Sequence, residues 1–520
     1  LPHFKRVVDE GVASVMSSYN SVNGEWAGQN KVLLTDILQK EWGFEGYVQS
    51  DWVFGLRDAK KAALAGQHLE MPVKNVFHRF LPELVKKGEV PVSVIDEAVL
   101  RMLRQEIRFG QGRDPKNYST DIIGSEAHRR LSLEAAQKGI VLLKNANNLL
   151  PLTNAVHTIT VFGKLADMPN TGDHGSSRTQ PAYVVTPLAG LTSAIGAPFT
   201  INSDDATDLS RAAKAAKLAD VAVVVVGYTY LDEGEYFLPE SSGPWTAHFP
   251  KPTAEDLPFA GKMAAYKAIG GSTVFGGDRS SLRLSEADEK LIETVAAVNP
   301  RTIVAIMAGS AVITEPWREK VAGILMLWYP GQEGGRAFAD VLLGKVNPSG
   351  KLPCIFPKRA EDLPLFDKDA SKITYDLWHG YRKMEHDAVQ PAFPFGFGMS
   401  YTSFSLSDLQ LADKSINKTG TVNVTVKVTN TGKVAGEEVV QLYIGARSSK
   451  VERAVKELKA FKKLMLEPGE TKSVKLAVPA KDFAYYDAVK GWIVEPGKYE
   501  VIVGRHSLDD QSLRKELTVE

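Results

Sequence analysis

The sequence predicts two successive α/β regions followed by an all-β sandwich, and three observations carry that prediction. Short apolar runs alternate with helix-period segments over roughly the first 110 residues, which implies βαβ units and a parallel sheet. A second set of apolar runs begins near residue 140 and includes four consecutive valines in "VAVVVVG", the mark of a strand buried on both faces. After about residue 405, apolar and polar residues alternate between turns containing Gly, Pro and Asn, as in an immunoglobulin-like or fibronectin-like sandwich.

Taken in order, residues 3–11 predict a helix with Phe4, Val7 and Val8 on one face. "VASVMSSYN" follows as a strand with Tyr19 and Asn20 at its exit, then "KVLLTDILQKEWG" as a helix ended by Gly43. "GYVQSD" is the next strand, "LRDAKKAALAG" a helix, and "HLEMP" a strand or strand end. "FLPELVKKGEV" and "SVIDEAVLRMLRQEIRFG" complete the region as helices, and the repeat distance fits a barrel or an open sheet. Past a polar connection, the second region offers the strands "IVLLKN", "TITVFGK", "VAVVVVGY", "TIVAIMAG" and "GILMLWYP", with helices at "AHRRLSLEAAQ" and "LSEADEKLIETVAAV". A long insertion, 236–276, is aromatic and rich in Pro and Gly; Trp245, Phe249 and Phe259 are expected to fold over the mouth of a site. The sandwich strands are "TVNVTVKVTNTG", "EEVVQLYIG", "TKSVKLAVP" and "GKYEVIVG". The expected domains are 1–112, a linker at 113–126, 127–365, a connecting segment at 366–405, and 406–520.

At roughly 100–200 residues per domain, 520 residues suit about three domains. Lys+Arg and Asp+Glu both total 62, so no basic surplus points to nucleic acid or an anionic membrane. No apolar run reaches the ~18 residues a membrane span needs. The single cysteine, Cys354 in "KLPCIFP", forms no intrachain disulfide and reads as a buried thiol. The chain begins inside a helix and without a signal peptide, so it is expected to be the C-terminal part of a longer product.

Catalytic groups of parallel α/β folds sit at the carboxyl ends of strands. "GYVQSDW" puts Asp51 and Trp52 at such an end, and "MSSYN" brings Met16 and Tyr19 to the same level. A helix cap or a satisfied turn carboxylate is the commoner role for an aspartate so placed, and core packing the commoner role for a methionine. A second candidate loop, "VVVVGYTYLDEGEYF", gathers Asp232, Glu233 and Glu235, whose mutual repulsion would raise one pKa and make a general acid; a solvated acidic loop is the alternative. "TGDHGSSRTQPAYVVTP", with Asp173, His174, Ser176 and Arg178, resembles an anion nest. The glycines of "WYPGQEGGRAFADVLLGKVNPSGKLP" are read as close turns. No HExxH or paired-cysteine pattern occurs, so neither a catalytic metal nor a cofactor is expected.

Seven stretches in order resemble glycoside hydrolase family 3: "GVASVMSSYNSVNG", "LLTDILQKEWGFEGYVQSDW", "AGQHLEMP", "KNANNLLPL", "WYPGQEGGRAFADVLLGKVNPSGKLPCIFP", "FPFGFGMSYTSF" and "VTNTGKVAGEEVVQLYI". The resemblance implies the C-terminal part of a (β/α)8 TIM-like barrel, an α/β sandwich and a fibronectin type III-like domain. It implies exo-acting hydrolysis of terminal β-D-glucosyl residues with retained configuration, on β-glucosides and oligosaccharides such as cellobiose. It assigns Asp51 as nucleophile and Glu233 as acid/base, with Glu235 the rival. It places Met16, Tyr19, Trp52 and Ser176 at the sugar. The two carboxylates would then come from two domains that build one pocket. It further implies a missing N-terminal barrel segment, a secreted or periplasmic location and a possible homodimer. A β-xylosidase or β-N-acetylglucosaminidase of the same family, or a non-catalytic carbohydrate-binding fragment, are the alternatives; the sandwich argues against the N-acetylglucosaminidases. The sequence departs from the family pattern at His68, where aspartate is common. It departs again at Asp278 and Arg279, which stand beyond the insertion instead of one residue after the Glu-Gly pair.

Overall fold

The computed structural model describes residues 1–72, 74–110, 120–194, 199–235, 279–367 and 370–520. The expectations for the 236–276 insertion, with Trp245, Phe249 and Phe259, and for Asp278 lie outside the described residues. The described residues divide into two compact units, one holding 1–110 and the other running from Thr120 onward.

In the first unit the strands Ser14–Ser17 and Tyr47–Ser50 pair in parallel, Ser14 against Tyr47 through Ser17 against Ser50. "HLEMP" contributes one parallel bridge, Leu69 to Gln49. Among the described residues the parallel pairing comprises these two strands and that bridge, so residues 1–110 close no barrel by themselves. Leu34 and Leu38 of the helix Val32–Glu41 pack with Phe44 and Val48 into a small core. That helix has wide turns: the Trp42 N–H closes on the Ile37 carbonyl, five residues back. The first helix, Pro2–Asp9, differs from its amphipathic reading, because Phe4 and Val7 stay half exposed and only Val8 reaches the core.

The second unit is built on a six-stranded sheet in the order 141–145, 323–326, 302–307, 221–227, 158–162, 200–204. All neighbours are parallel except the first pair. The valine strand, Val221–Gly227, lies near the middle and is buried on both faces. The antiparallel edge strand Val141–Asn145 is flanked in turn by Met399, whose N–H donates to the Leu142 carbonyl (2.8 Å). Among the elements that escaped the sequence reading are the polar edge strand Thr200–Asp204 and the helix Leu209–Leu218, capped by Asp208.

Of the glycines in "GQEGG", Gly331 makes a turn at φ 71° as read, whereas Gly334 and Gly335 open the helix Gly334–Leu342. They let that helix cross the helix Pro187–Ala194 backbone to backbone. A Cβ on Gly190 would overlap the Gly335 carbonyl, and one on Gly335 would overlap the Thr186 carbonyl. From residue 404 a three-stranded and a five-stranded sheet form the β-sandwich. The sandwich includes the edge strand Glu457–Leu466, whose charged run hid it. Lys351 pairs with Glu438 of the sandwich (2.7 Å), and Gln441 donates to the Gly396 carbonyl (3.1 Å).

Two outcomes are expected. Gly335→Ala forces two backbones apart and should lower stability by about 1–3 kcal/mol. Gly139→Ala, with nothing near its Cβ, should change little; equal denaturation midpoints for the two variants would refute the crossing argument. The second concerns His68, which is buried and accepts the Val48 N–H on Nδ1 (2.8 Å), standing in for a strand acceptor. Burial, with the Arg101 charge, lowers its pKa from 6.5 to about 4. The unfolded chain therefore takes up the proton first as pH falls. Stability is full above about pH 6.5 and is lost towards pH 4, by at most about 3 kcal/mol. His506, also lowered to about 4 by burial, acts in the same window. His68→Asn, which keeps an acceptor but cannot titrate, should flatten part of the melting-temperature slope between pH 6.5 and 4; an unchanged slope counts against the argument.

Candidate active site

In the first unit, Asp51 follows directly on the strand Tyr47–Ser50. Its N–H donates to the Ser17 carbonyl (3.1 Å), so the backbone is held by the neighbouring strand. Its Oδ1 accepts the Trp52 N–H (2.6 Å), and among the described residues no donor reaches the second oxygen. Ser50 holds the turn from beneath, donating through Oγ to the Asp51 carbonyl (2.9 Å) and accepting the Met71 N–H (2.9 Å). Val53 adopts a φ of 64°, a conformation rare for a β-branched residue, with its N–H tied to the Met71 carbonyl (2.9 Å). The Tyr19 hydroxyl donates to the Trp52 carbonyl (2.8 Å). Met16, Tyr19 and Trp52 are 50, 42 and 48% exposed, which leaves apolar side-chain surface open around the carboxylate.

In the second unit a pocket of about 550 Å³ is lined by Ser176, Glu233, Glu235, Arg279, Ser310 and Phe366, among others. The chain leaving the valine strand supplies Glu233, Gly234 and Glu235 to its lining. Gly227, at φ 136°, turns the chain where any Cβ would overlap the Met307 carbonyl. Thr229 then caps the short helix Tyr230–Glu233, and Asp232 completes the capping box by accepting the Thr229 N–H (2.8 Å).

The three carboxylates of this loop, expected from sequence to act on one another, are engaged by separate donors. Asp232 is spent on the cap. Glu233 Oε2 pairs with Arg279 Nε (2.8 Å), while its Oε1 accepts the Gly309 N–H and the Tyr329 hydroxyl. Arg279 lies over the Tyr228 ring, 4.1 Å from its centroid, and donates to Ser310 Oγ and the Ala311 carbonyl. Burial, then the bond to Glu233, pushes the Tyr329 hydroxyl far above its ordinary pKa.

Glu235 accepts the Ser176 N–H on Oε2, and its own N–H donates to Asp173 Oδ1 (2.7 Å). The loop that resembled an anion nest is thus occupied by this protein's own carboxylate. Nearby, the raised carboxyl is one that sequence reasoning missed. Burial lifts Asp288, in the first turn of the helix Glu286–Val298, to about 6. The Ser-x-x-Asp spacing at 285–288 signalled a cap, not burial. Cys354 packs half-buried on the core, and burial pushes its thiol up to about 11. Among the described residues no cluster of His, Cys, Asp and Glu is arranged to hold a metal.

The selected residues therefore fall into two groups: Met16, Tyr19, Asp51 and Trp52 at one strand tip, and Ser176, Glu233 and Glu235 around one pocket. The chain matches the glycosyl hydrolase family 3 N-terminal domain over residues 1–105, its C-terminal domain over 140–401, and a fibronectin type III-like domain over 438–507. It is similar to thermostable beta-glucosidase B of Acetivibrio thermocellus, 34% identical over 97% of this chain and 63% of that protein. It is also similar to a beta-xylosidase of Formosa agariphila, 32% identical over 100% of this chain and 71% of the relative. Among solved structures, beta-glucosidase 3B of Thermotoga neapolitana in complex with glucose superposes with a TM-score of 0.81 at 31% identity, covering 99% of this chain and 72% of that one. The chain thus spans about two thirds of the length of these proteins, and with both family domains matched, over 1–105 and 140–401, it belongs to glycoside hydrolase family 3.

Proposed function

We propose that the protein is a glycoside hydrolase that removes terminal β-D-glucosyl residues with retention of configuration. The observation that carries this reading is Asp51: a carboxylate fixed by backbone at the carboxyl end of a parallel strand, with one oxygen open and an exposed indole beside it. A retaining enzyme needs such a carboxylate as nucleophile and a second carboxyl as acid/base, about 5–5.5 Å apart in the working site. Trp52, Met16 and Tyr19 supply apolar and hydroxyl contacts for the sugar ring, and Ser176 a further hydroxyl.

For the acid/base, geometry favours Glu235 over Glu233 and so reverses the order taken from the Glu-Gly pair. The oxygens of Glu233 are engaged by Arg279, Gly309 and Tyr329, which suits a structural anchor. Glu235 spends one oxygen on a backbone N–H and lines the same pocket. A second reading, β-xylosidase, is favoured by the Formosa relative; the ratio of kcat/KM for nitrophenyl glucoside and xyloside separates the two.

The test uses the full-length protein. Asp51→Asn should lower turnover by on the order of 10⁴-fold or more while the fold persists; near wild-type turnover would sink the nucleophile assignment. Glu235→Ala should retain activity on a dinitrophenyl glucoside, lose about 10²–10⁴-fold on cellobiose, and yield β-glucosyl azide when azide is added. If Glu233→Ala gives that pattern and Glu235→Ala does not, the roles are exchanged.

A further inference from the structure

We propose that the loop from Asp173 to Ser177 is a cradle that sets the position of Glu235, with Asp173 as its positioning residue and Gly175 as the clearance that lets the carboxylate in. The inference rests on Glu235 being the acid/base proposed above and deepens that reading.

Three observations converge on it. Asp173 touches the Glu235 backbone, accepting its N–H on Oδ1 (2.7 Å), while its Oδ2 accepts the Ser177 hydroxyl (2.7 Å). One side chain therefore fixes both the start of the acidic residue and the far end of the loop that faces it. Burial works to raise the Asp173 carboxyl, but hydrogen bonds from Glu235, Ser177 and Gly175 outweigh it and hold it below its usual range. It is thus an anionic acceptor, the stronger kind of hydrogen-bond partner.

The second observation is steric. A Cβ on Gly175 would overlap Oε2 of Glu235, stand 2.6 Å from the Glu235 Cβ and 3.0 Å from Asp173 Oδ2. The φ of Gly175 is not among the left-handed ones, so glycine is needed here for space rather than for backbone conformation. With that space open, the Ser176 N–H meets Oε2 directly.

The third is the clamp beside it. The His174 ring stacks on Tyr230, centroids 3.7 Å apart and planes 15° apart, joining the cradle to the short helix that precedes Glu235. Loop and acid-bearing segment are held by a backbone bond, a side-chain bond and a ring stack within five consecutive residues. A misplaced acid costs protonation of the leaving group while leaving sugar binding intact.

That difference sets the experiment. Asp173→Ala, Asp173→Asn, Gly175→Ala and Glu235→Ala are compared in the full-length protein, on cellobiose and on 2,4-dinitrophenyl β-glucoside, whose leaving group needs no acid. Thermal midpoints establish that each variant folds. Expected for Asp173→Ala and Gly175→Ala is a fall in kcat/KM on cellobiose of about tenfold or more, with kcat/KM for dinitrophenyl glucoside, which reports the glycosylation step that needs no acid, within about threefold of wild type. Asp173→Asn, which still offers Oδ1 to the Glu235 N–H, should recover part of the loss. Parallel losses in kcat/KM on both substrates, or wild-type kcat/KM on cellobiose in both variants, overturns the cradle. Glu235→Ala separates the two levels: if it shows no leaving-group dependence, the acid/base reading itself fails. If it shows that dependence while the loop variants behave as wild type, only the cradle fails.

Discussion

The ion pair between Glu233 and Arg279 is the contact on which the second unit's pocket depends. Glu233 follows the strand Val221–Gly227, Gly309 follows Thr302–Met307, and Tyr329 follows Gly323–Met326. These are three consecutive parallel strands of the sheet, and the carboxylate that follows the first collects a donor from beyond the end of each of the other two as well as the guanidinium. Loops at the carboxyl end of a parallel sheet are thereby fastened at a single point. A largely buried carboxylate is expensive to desolvate, and here both oxygens have donors that offset that cost. The aromatic face of Tyr228 under Arg279 completes the enclosure of the opposite charge. Glu235, two residues on, then needs only the short reach to the 173–177 loop to be fixed in turn.

The first unit solves a similar problem with backbone bonds and the Ser50 hydroxyl in place of an ion pair. Asp51 is held by strand and turn hydrogen bonds, and Gly55 makes room beneath it, where a Cβ would stand 2.7 Å from the Asp51 backbone N and O. Rigidity at a strand tip suits a group that must present one oxygen repeatedly to the same point. Rigidity through a salt bridge and a loop suits a group whose surroundings must exchange protons.

Much of this was legible in the sequence wherever one physical signal dominated. Valine runs fixed the buried strands, alternation fixed most of the sandwich, and a carboxylate at a strand end marked Asp51. What was hidden involved a conflict between local pattern and tertiary context. The polar strand Thr200–Asp204 survives because it lies on an edge, where one face needs no apolar cover. The helix Gly334–Leu342 begins with two glycines that local propensity counts against, yet the crossing with Pro187–Ala194 requires them. The choice between Glu233 and Glu235 was beyond sequence reasoning. It turns on Arg279 and Tyr329, 46 and 96 residues from Glu233 along the chain, being the partners of one carboxylate and not of the other.

One detail of the sheet bears on solubility. Its antiparallel border strand, Val141–Asn145, would present a row of free amides and carbonyls of the kind that recruits strands from other molecules. The segment around Met399 covers part of that row just before the chain enters the β-sandwich, which is itself tied back through Lys351–Glu438 and Gln441–Gly396. That segment is fastened to the same unit on its own account, through Leu352–Phe397 and Tyr401–Val341, so the border is guarded by the chain that leads into the sandwich.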